Sequence, residues 1–196
     1  MTTIKRLAVF CGSNVGARRE YVEAARSLGR LLSDRGIGVV YGGSNVGLMA
    51  ALANEILDNQ GDIIGVIPRT LMQREVAHTE LVDLRIVESM HERKALMAEL
   101  CDGFVALPGG IGTLEEFFEV WTWAQLGMHD KPCGLLNIAG YFDGLLAFLD
   151  RAVEERFVRD VHREMVIVEE NPQRLLDRFE SYEPPRVVKW IGAATT

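Results

Sequence analysis

Glycine-rich turns follow three apolar runs of the sequence, and they are the best candidates for contact with an anionic ligand. Glycine lets the backbone approach a ligand closely and adopt positive φ. A helix that begins directly after such a turn points free N–H groups and the positive end of its dipole at a bound phosphate. The alternative is that the glycines serve tight turning alone. The three turns are Cys11-Gly12-Ser13, Gly42-Gly43-Ser44 with Gly47 after it, and Pro108-Gly109-Gly110-Ile111-Gly112-Thr113. From the first two we expect Gly12, Ser13 and Gly43 to contact the ligand.

The turns differ from the common nucleotide-binding motifs, and this narrows the ligand class. A P-loop needs a lysine after its last glycine, but Leu48 follows Gly47. No turn has the G-x-G-x-x-G spacing of a dinucleotide site. The strand ends at Tyr41 and Pro68 also lack the acidic residue that holds an NAD ribose. The sequence therefore favours a mononucleotide or a sugar phosphate.

Arg93 lies where helical periodicity predicts an apolar side chain. Residue type predicts Ser89 as the N-cap of a helix. On that helix Arg93 shares one stripe with four apolar residues, namely Met90, Leu96, Met97 and Leu100. Its guanidinium either extends to solvent along its alkyl stem or points into a site, where it pairs with a carboxylate or a phosphate. Lys94, on the edge of the stripe, is a candidate second cation. His91 falls on the polar face and is interpreted as solvent-facing or structural.

Glu116 has two interpretations of equal weight from spacing alone. Thr113 and Glu116 are three residues apart, as in a capping box at a helix start. On the helix that follows, Glu116 lies at the boundary between the apolar and polar sides, whereas Glu119 lies on the polar side. A carboxylate so close to a phosphate-binding turn would repel its ligand unless a cation lies nearby, and Arg93 is the natural candidate. Glu116 is thus a helix cap or a catalytic group.

Short apolar runs alternate with segments of helical periodicity along the chain. Strands that are apolar throughout, separated by helices, predict a parallel sheet covered on both faces. The predicted strands are Leu7–Cys11, Gly38–Tyr41, Asp62–Pro68, Leu81–Val87, Gly103–Pro108, Lys131–Asn137 and Met165–Val168. The predicted helices are Arg18–Arg35, Leu48–Asn59, Met90–Cys101, Thr113–Leu126 and Phe142–Arg156, with a terminal helix after Glu170. Right-handed crossovers bring the strand ends to one edge, where open α/β sheets bind ligands. We predict an α/β fold with a single Rossmann-like domain over residues 1–180 and a C-terminal tail over 181–196.

Composition excludes several classes of protein. The 196 residues are 48% hydrophobic and 25% charged, which is a globular composition. A net charge of −7 is the opposite of what a duplex nucleic-acid binder needs. Three scattered cysteines form neither a disulfide framework nor a zinc motif. The first apolar run is too short for a signal peptide, and no run is long enough to cross a bilayer. We expect a cytoplasmic protein with no membrane or nucleic-acid partner.

Three motifs match those of one known family. PGGIGTLEE (Pro108–Glu116) follows P-G-G-x-G-T-x-x-E, MHERK (Met90–Lys94) follows M-H-x-R-K, and GGSNVGLM (Gly42–Met49) is the third element. On these motifs the chain resembles the Lonely Guy (LOG) family of cytokinin riboside 5′-monophosphate phosphoribohydrolases, over about residues 4–178. Ala50 is a departure, because many members have glycine there. Some members carry the label lysine decarboxylase, but the sequence has no signature of a pyridoxal-phosphate lysine site.

The resemblance implies hydrolysis of the N-glycosidic bond of AMP or N6-prenyl-AMP to the free base and ribose 5-phosphate, with no metal or cofactor expected. It implies Arg93 and Glu116 as the catalytic pair, which favours the catalytic interpretation of Glu116. The implied substrate contacts are Glu75, Arg93, Lys94, Gly109, Gly110, Ile111, Gly112, Thr113, Leu114, Glu115 and Thr122.

The resemblance also implies a homodimer, with the helix that carries Trp121 and Trp123 as a candidate interface unless these rings pack in the core. Two alternatives stay open for the function. One is a non-catalytic carrier of a nucleotide or of the molybdenum cofactor, and the other, less favoured, is an NAD-linked reductase. The pair of Arg93 and Glu116 favours the hydrolase, because a pure binder does not need it.

Overall fold

A seven-stranded sheet organises the computed structural model, which describes residues 4–72 and 77–185. The strands are β1 (Arg6–Phe10), β2 (Gly38–Tyr41), β3 (Ile63–Pro68), β4 (Asp83–Val87), β5 (Gly103–Ala106), β6 (Cys133–Leu136) and β7 (Val166–Glu169). Their order across the sheet is β4-β3-β2-β1-β5-β6-β7, and every pair is parallel. The predicted α/β fold with a parallel sheet is therefore confirmed.

Helices cover both faces of the sheet. They are α1 (Arg19–Asp34), α2 (Gly47–Asp58), α3 (Arg69–Met72), α4 (Met90–Leu100), α5 (Ile111–Gln125), α6 (Asp143–Glu154), α7 (Asp160–Arg163) and α8 (Pro172–Glu180), with a 3-10 turn at Ile138–Gly140. The short elements α3, α7 and the 3-10 turn have no counterpart among the predicted elements, because three or four residues are too few to show a helical period. Within the described ranges, no helix is both long enough and apolar enough to span a bilayer.

Two apolar cores explain why the central strands lack polar alternation. Successive side chains of a strand point to opposite faces, so in β1 Leu7 and Val9 join the core beneath α1, α2 and α8, whereas Ala8 and Phe10 join the core beneath α4, α5 and α6. Both faces of β1 are buried. At the sheet edge, β4 is only partly buried, and its sequence DLRIV is correspondingly more polar.

The order of the strands reverses at β1, which lies in the middle of the sheet. Strands β2, β3 and β4 are added on one side of β1, and β5 pairs on its other side, with Phe10 opposite Ala106. Beyond the strands, the Gly12 N–H donates to the Pro108 carbonyl over 3.1 Å. This reversal leaves a crevice at the carboxyl ends of β1 and β5, which is where open α/β sheets bind ligands.

Candidate active site

A cavity of about 260 Å³ occupies this crevice. Backbone from the first and third glycine turns forms one side, and α4 and α5 contribute the two charged side chains. The wall residues are Val9, Phe10, Cys11, Ser13, Gly42, Met49, Leu71, Met90, Arg93, Gly110, Ile111, Gly112, Thr113 and Glu116. The cavity is thus apolar on its β1, α2 and α3 side and charged on its α4 and α5 side.

Arg93 and Glu116 form an ion pair in this cavity. Nη1 of Arg93 lies 2.7 Å from Oε1 of Glu116, and the two side chains are only 10% and 8% exposed. Nε of Arg93 donates to the Val66 carbonyl of β3 at 3.1 Å, and Nη1 lies 3.8 Å from the Met90 sulfur. Because these contacts fix the guanidinium plane from two directions, the carboxylate is held in one place, and the cation stabilises its charged form. Arg93 does not extend to solvent.

Gly42 makes room for this arginine. A Cβ atom at Gly42 would overlap the guanidinium of Arg93, so a larger residue would displace it. The helix that carries Arg93 begins as predicted, with the Ser89 hydroxyl accepting from the Glu92 N–H at 3.1 Å. The second glycine turn therefore contributes to the site through the space it leaves as well as through its backbone.

The start of α5 corrects the capping interpretation of Glu116. The helix begins at Ile111 with Gly110 as its N-cap, two residues before the predicted start, and no side chain caps it. Thr113 lies inside the first turn, and Glu116 lies in the second turn with its carboxylate on Arg93. The first N–H with an acceptor in the helix is that of Leu114, which donates to the Gly110 carbonyl at 3.2 Å. Three N–H groups at the cavity wall are thus left without a helical acceptor.

Lys94, which the resemblance implies as a substrate contact, lies in a cluster of ion pairs beside the cavity. Its side chain is 4% exposed, and its ammonium contacts the Glu115 carboxylate and lies 2.8 Å from Oε2 of Glu119. Burial disfavours the charged ammonium, but the hydrogen bonds to Glu115 and Glu119 outweigh it and raise the pKa of Lys94. Neither Lys94 nor Glu115 is on the cavity wall. This cluster joins α4 to α5 beside the Arg93–Glu116 pair, and Glu119 is partly buried rather than on the polar side of the helix.

Thr122 and Leu114 also lie away from the cavity wall. The Thr122 side chain is exposed, and its hydroxyl donates to the Phe118 carbonyl at 2.7 Å within α5. Trp121 packs in the core, where its indole N–H donates to the His162 carbonyl at 3.0 Å. Trp121 is therefore a core residue, which was the alternative to a role at a dimer interface. Glu75 lies outside the described residues.

The glycine turns contribute unequally to the wall. Gly110 and Gly112 are on it, together with Ile111, Thr113 and Ser13. Gly12 and Gly109 lie beside it and line a neighbouring cavity instead. Gly43 turns the backbone with φ +73°, and Gly42 rather than Gly43 lines the cavity, so contact between Gly43 and a ligand stays a prediction.

Sequence reasoning did not identify the apolar wall. The unassigned residues are Val9, Phe10, Cys11, Met49, Leu71 and Met90. Most of them resemble ordinary core residues, and only their position at strand and helix ends could have identified them. Burial, and next the Glu116 carboxylate, raises the pKa of the Cys11 thiol well above its usual range. Cys11 is therefore an uncharged wall group and not a thiolate.

Comparison with known proteins decides the family. A family model described as possible lysine decarboxylase matches residues 49–179. A probable cytokinin riboside 5′-monophosphate phosphoribohydrolase from Oryza sativa subsp. japonica is 48% identical over 92% of this chain and 72% of its own length. A cytokinin riboside 5′-monophosphate phosphoribohydrolase from Arabidopsis thaliana is 48% identical over 92% of this chain and 84% of its own length.

The chain belongs to the LOG family of phosphoribohydrolases. This confirms the resemblance that the three motifs carry. The molybdenum cofactor binding protein from the phototrophic bacterium Rippkaea orientalis has a TM-score of 0.68 at 20% identity, covering 92% of this chain and 98% of that chain. At that identity the likeness shows a shared fold and nothing about the ligand. No lysine is among the described residues that line the cavity of Arg93 and Glu116, so this site gives no support to the description as a lysine decarboxylase.

Proposed function

We propose that this protein hydrolyses the N-glycosidic bond of AMP or N6-prenyl-AMP and releases the free base and ribose 5-phosphate. The observation that carries the proposal is the buried Arg93–Glu116 ion pair, 2.7 Å between Nη1 and Oε1, on the wall of a cavity that also contains a helix N-terminus. Family membership adds independent support, because the named relatives are phosphoribohydrolases.

The N-terminus of α5 binds the 5′-phosphate. The N–H groups of Ile111, Gly112 and Thr113 have no acceptor within the helix, and these three residues line the cavity. The positive end of the helix dipole adds to their attraction for an anion. Binding the phosphate at a distance from the scissile bond positions the sugar for reaction.

Glu116 acts on the ribose. Cleavage of a ribosyl–base bond builds positive charge at the anomeric carbon, and a fixed carboxylate nearby stabilises it. The same carboxylate orients a water molecule and accepts a proton from it as the water oxygen bonds to that carbon. Arg93 keeps Glu116 charged and offsets its repulsion of the phosphate.

The departing base takes the bonding electrons of the broken C–N bond. Arg93 stabilises the negative charge that develops on the base. Glu116 then passes the proton that it took from water to the base, which gives the neutral product and regenerates the carboxylate. The apolar side of the cavity, including Phe10, Met49 and Met90, accepts the planar base. A two-carboxylate glycosidase scheme is not needed, because the leaving group is a nitrogen heterocycle.

We also propose that the protein is a cytoplasmic homodimer, as the resemblance implies. The predicted tail over 181–196 lies outside the described residues from position 186 onward. Ile111, on the cavity wall, is 88% exposed, and Met90 beside it is 38% exposed. Large apolar side chains at a cavity mouth are typical of a surface that a partner covers. Light scattering of the purified protein tests this, and a monomer at micromolar concentration would contradict it.

A substrate panel tests the proposed reaction. The purified protein is incubated with AMP, isopentenyl-AMP, GMP and CMP, and the free bases are separated by chromatography. We expect base release from AMP or isopentenyl-AMP and much slower release from GMP and CMP. Tight binding of AMP with no base released from any substrate would contradict the hydrolase and favour the carrier alternative. Saturable NAD binding with hydride transfer would favour a reductase.

A further inference from the structure

Tyr141, which is not part of the catalytic pair, makes a hydrogen bond to the third glycine turn. The Tyr141 hydroxyl donates to the Gly109 carbonyl at 2.6 Å. Tyr141 comes from the segment after β6, on the other side of the loop from Arg93 and Glu116, and it does not line the cavity that holds them.

The segment that carries Tyr141 is held in place by its own contacts. The Asn137 amide donates to the Asp143 carboxylate at 2.7 Å, and its side-chain oxygen accepts from the Phe142 N–H at 2.7 Å. The Tyr141 ring packs edge-on against Phe142 and Tyr21, with ring centres 5.0 and 5.6 Å away. Rings held from two sides have few alternative rotamers, so the hydroxyl is a fixed donor.

Gly110, the glycine that follows Gly109, is restrained on its carbonyl side, where it accepts from the Leu114 N–H at 3.2 Å. Its N–H side has no comparable restraint from packing, because no atom of the described residues lies within 4 Å of where a Cβ atom of Gly110 would be. A peptide between two glycines rotates easily, because neither side has a Cβ to restrict φ and ψ. The Gly109–Gly110 peptide could therefore present either its carbonyl oxygen or its N–H to the cavity, and an anion accepts only the second.

The hydrogen bond to Tyr141 selects between these two orientations. In a trans peptide the carbonyl oxygen and the amide hydrogen lie in the peptide plane and point in opposite directions on either side of the C–N bond. A Gly109 carbonyl turned towards Tyr141 therefore turns the Gly110 N–H away from it. Gly110 lines both the cavity of Arg93 and Glu116 and the neighbouring cavity that Tyr141 lines, and the side away from Tyr141 is that of Arg93 and Glu116. That N–H then joins those at the start of α5 as a donor for an anion.

We propose that Tyr141 is a positioning residue that holds the Gly109–Gly110 peptide in its anion-binding orientation. It acts through Gly109 and touches neither the sugar nor the base. The inference rests on the proposed function, because it assigns the phosphate of the nucleotide to this loop. It explains why an exposed tyrosine outside the cavity contacts the phosphate-binding turn.

The test is Tyr141→Phe, which keeps the ring and removes only the donor. We expect the KM for AMP and the inhibition constant of inorganic phosphate to rise together, about three- to tenfold, as for the loss of one hydrogen bond. The N–H groups at the start of α5 still hold the phosphate and position the sugar in the variant, so kcat stays within about twofold. The inhibition constant of free adenine and the melting temperature are unchanged.

Tyr21→Phe is the matched control. It removes a hydroxyl from the neighbouring ring, which makes no hydrogen bond to the glycine loop within the described residues, and all constants should stay at the wild-type values. Unchanged phosphate inhibition in Tyr141→Phe would overturn the proposal. Equal weakening of phosphate and adenine would also overturn it, because it would show a general structural role.

The outcome is separable from that of the proposed function. If the wild-type protein releases no base from AMP, calorimetric titration with inorganic phosphate still compares Tyr141→Phe with the wild type. Weaker phosphate binding in the variant then supports the role of Tyr141, although the hydrolase is contradicted. Equal phosphate binding overturns the role of Tyr141 without bearing on the hydrolase.

Discussion

Replacing Glu116 with glutamine separates the catalytic from the structural role of this side chain. Glutamine has nearly the same shape and keeps an oxygen that can accept from Arg93, but it has no charge and cannot take a proton from water. In the wild type, the accepting oxygen lies 2.7 Å from Nη1 of Arg93, and both side chains are about nine-tenths buried. The substitution therefore changes charge at the site while leaving its packing in place.

The structural cost is the difference between a charged and a neutral hydrogen bond. A charge-assisted bond contributes about 1.5–3 kcal/mol and a neutral one about 0.5–1.5 kcal/mol. Glu116→Gln should therefore lower the free energy of unfolding by about 1–2 kcal/mol. For a chain of this length that corresponds to a drop of about 2–8 °C in melting temperature. The variant should still be folded at 25 °C.

The catalytic cost is much larger. General base catalysis by a positioned group contributes about 10²–10⁴-fold, and Glu116 also stabilises the charge at the anomeric carbon. We expect kcat for AMP or isopentenyl-AMP to fall at least about 10³-fold, with nucleotide affinity within about tenfold of the wild type, near 1.4 kcal/mol. Chromatographic release of the base gives kcat, and calorimetry gives the affinity.

Glu119→Gln is the matched control, since it removes a carboxylate from the same helix at a position that contacts Lys94 and not the cavity. It should retain kcat within about threefold. If Glu116→Gln kept the wild-type rate while its melting temperature fell, Glu116 would have only a structural role, and the proposed mechanism would be refuted.

Five further substitutions test other parts of the site and fold. Arg93→Lys keeps the charge but cannot reproduce the contacts of the guanidinium, so activity assays should show at least a tenfold loss; full activity would contradict a positioned guanidinium. Gly42→Ala should lower activity at least about tenfold by displacing Arg93. Gly144→Ala lies in helix α6, where no atom of the described residues is near the added methyl group, and urea titrations should show a free energy of unfolding that is higher by about 0.5–1 kcal/mol. Lys94→Met should lower the melting temperature, because it removes the cation between two carboxylates, and the KM for AMP should be nearly unchanged. A raised KM with no loss of stability would instead indicate that Lys94 contacts the substrate. Burial lowers the pKa of His129 below 6.5, so the unfolded chain binds a proton on this residue more tightly than the folded chain. The free energy of unfolding therefore falls as the pH drops below about 6.5. Between pH 7 and pH 5 the melting temperature should fall less in His129→Gln than in the wild type.

The strand and helix pattern could be predicted from the sequence because the sheet is buried on both faces. Continuous apolar runs such as that in β1 predict a parallel strand without reference to the rest of the chain. Arg93 could be singled out for the same reason, since a charge within an apolar stripe needs a partner. The identity of that partner could not be read from periodicity, because Glu116 lies at the boundary of its helix. Charge complementarity with a phosphate-binding turn suggested the pair, the family motif favoured it, and the ion pair between α4 and α5 places Glu116 on Arg93.

Contacts between segments distant in sequence account for most of what the sequence did not predict. The start of α5 depends on Gly110 as a cap without a side chain, which residue type does not signal as serine or threonine would. Lys94 lies on α4, whereas the two carboxylates that it contacts, those of Glu115 and Glu119, lie on α5. Whether Gly42 or Gly43 faces the cavity depends on a single positive φ. The hydroxyl of Tyr141 reaches a carbonyl 32 residues away in the chain.

The central claim is that Arg93 and Glu116 break the bond between ribose and base, and product analysis tests it most directly. Isopentenyl-AMP is incubated with the purified protein, and isopentenyladenine, ribose 5-phosphate and inorganic phosphate are each quantified by mass spectrometry or colorimetry. The account predicts equal amounts of base and ribose 5-phosphate with no inorganic phosphate. Release of inorganic phosphate with the nucleoside intact, or recovery of the whole nucleotide after prolonged incubation, would contradict it.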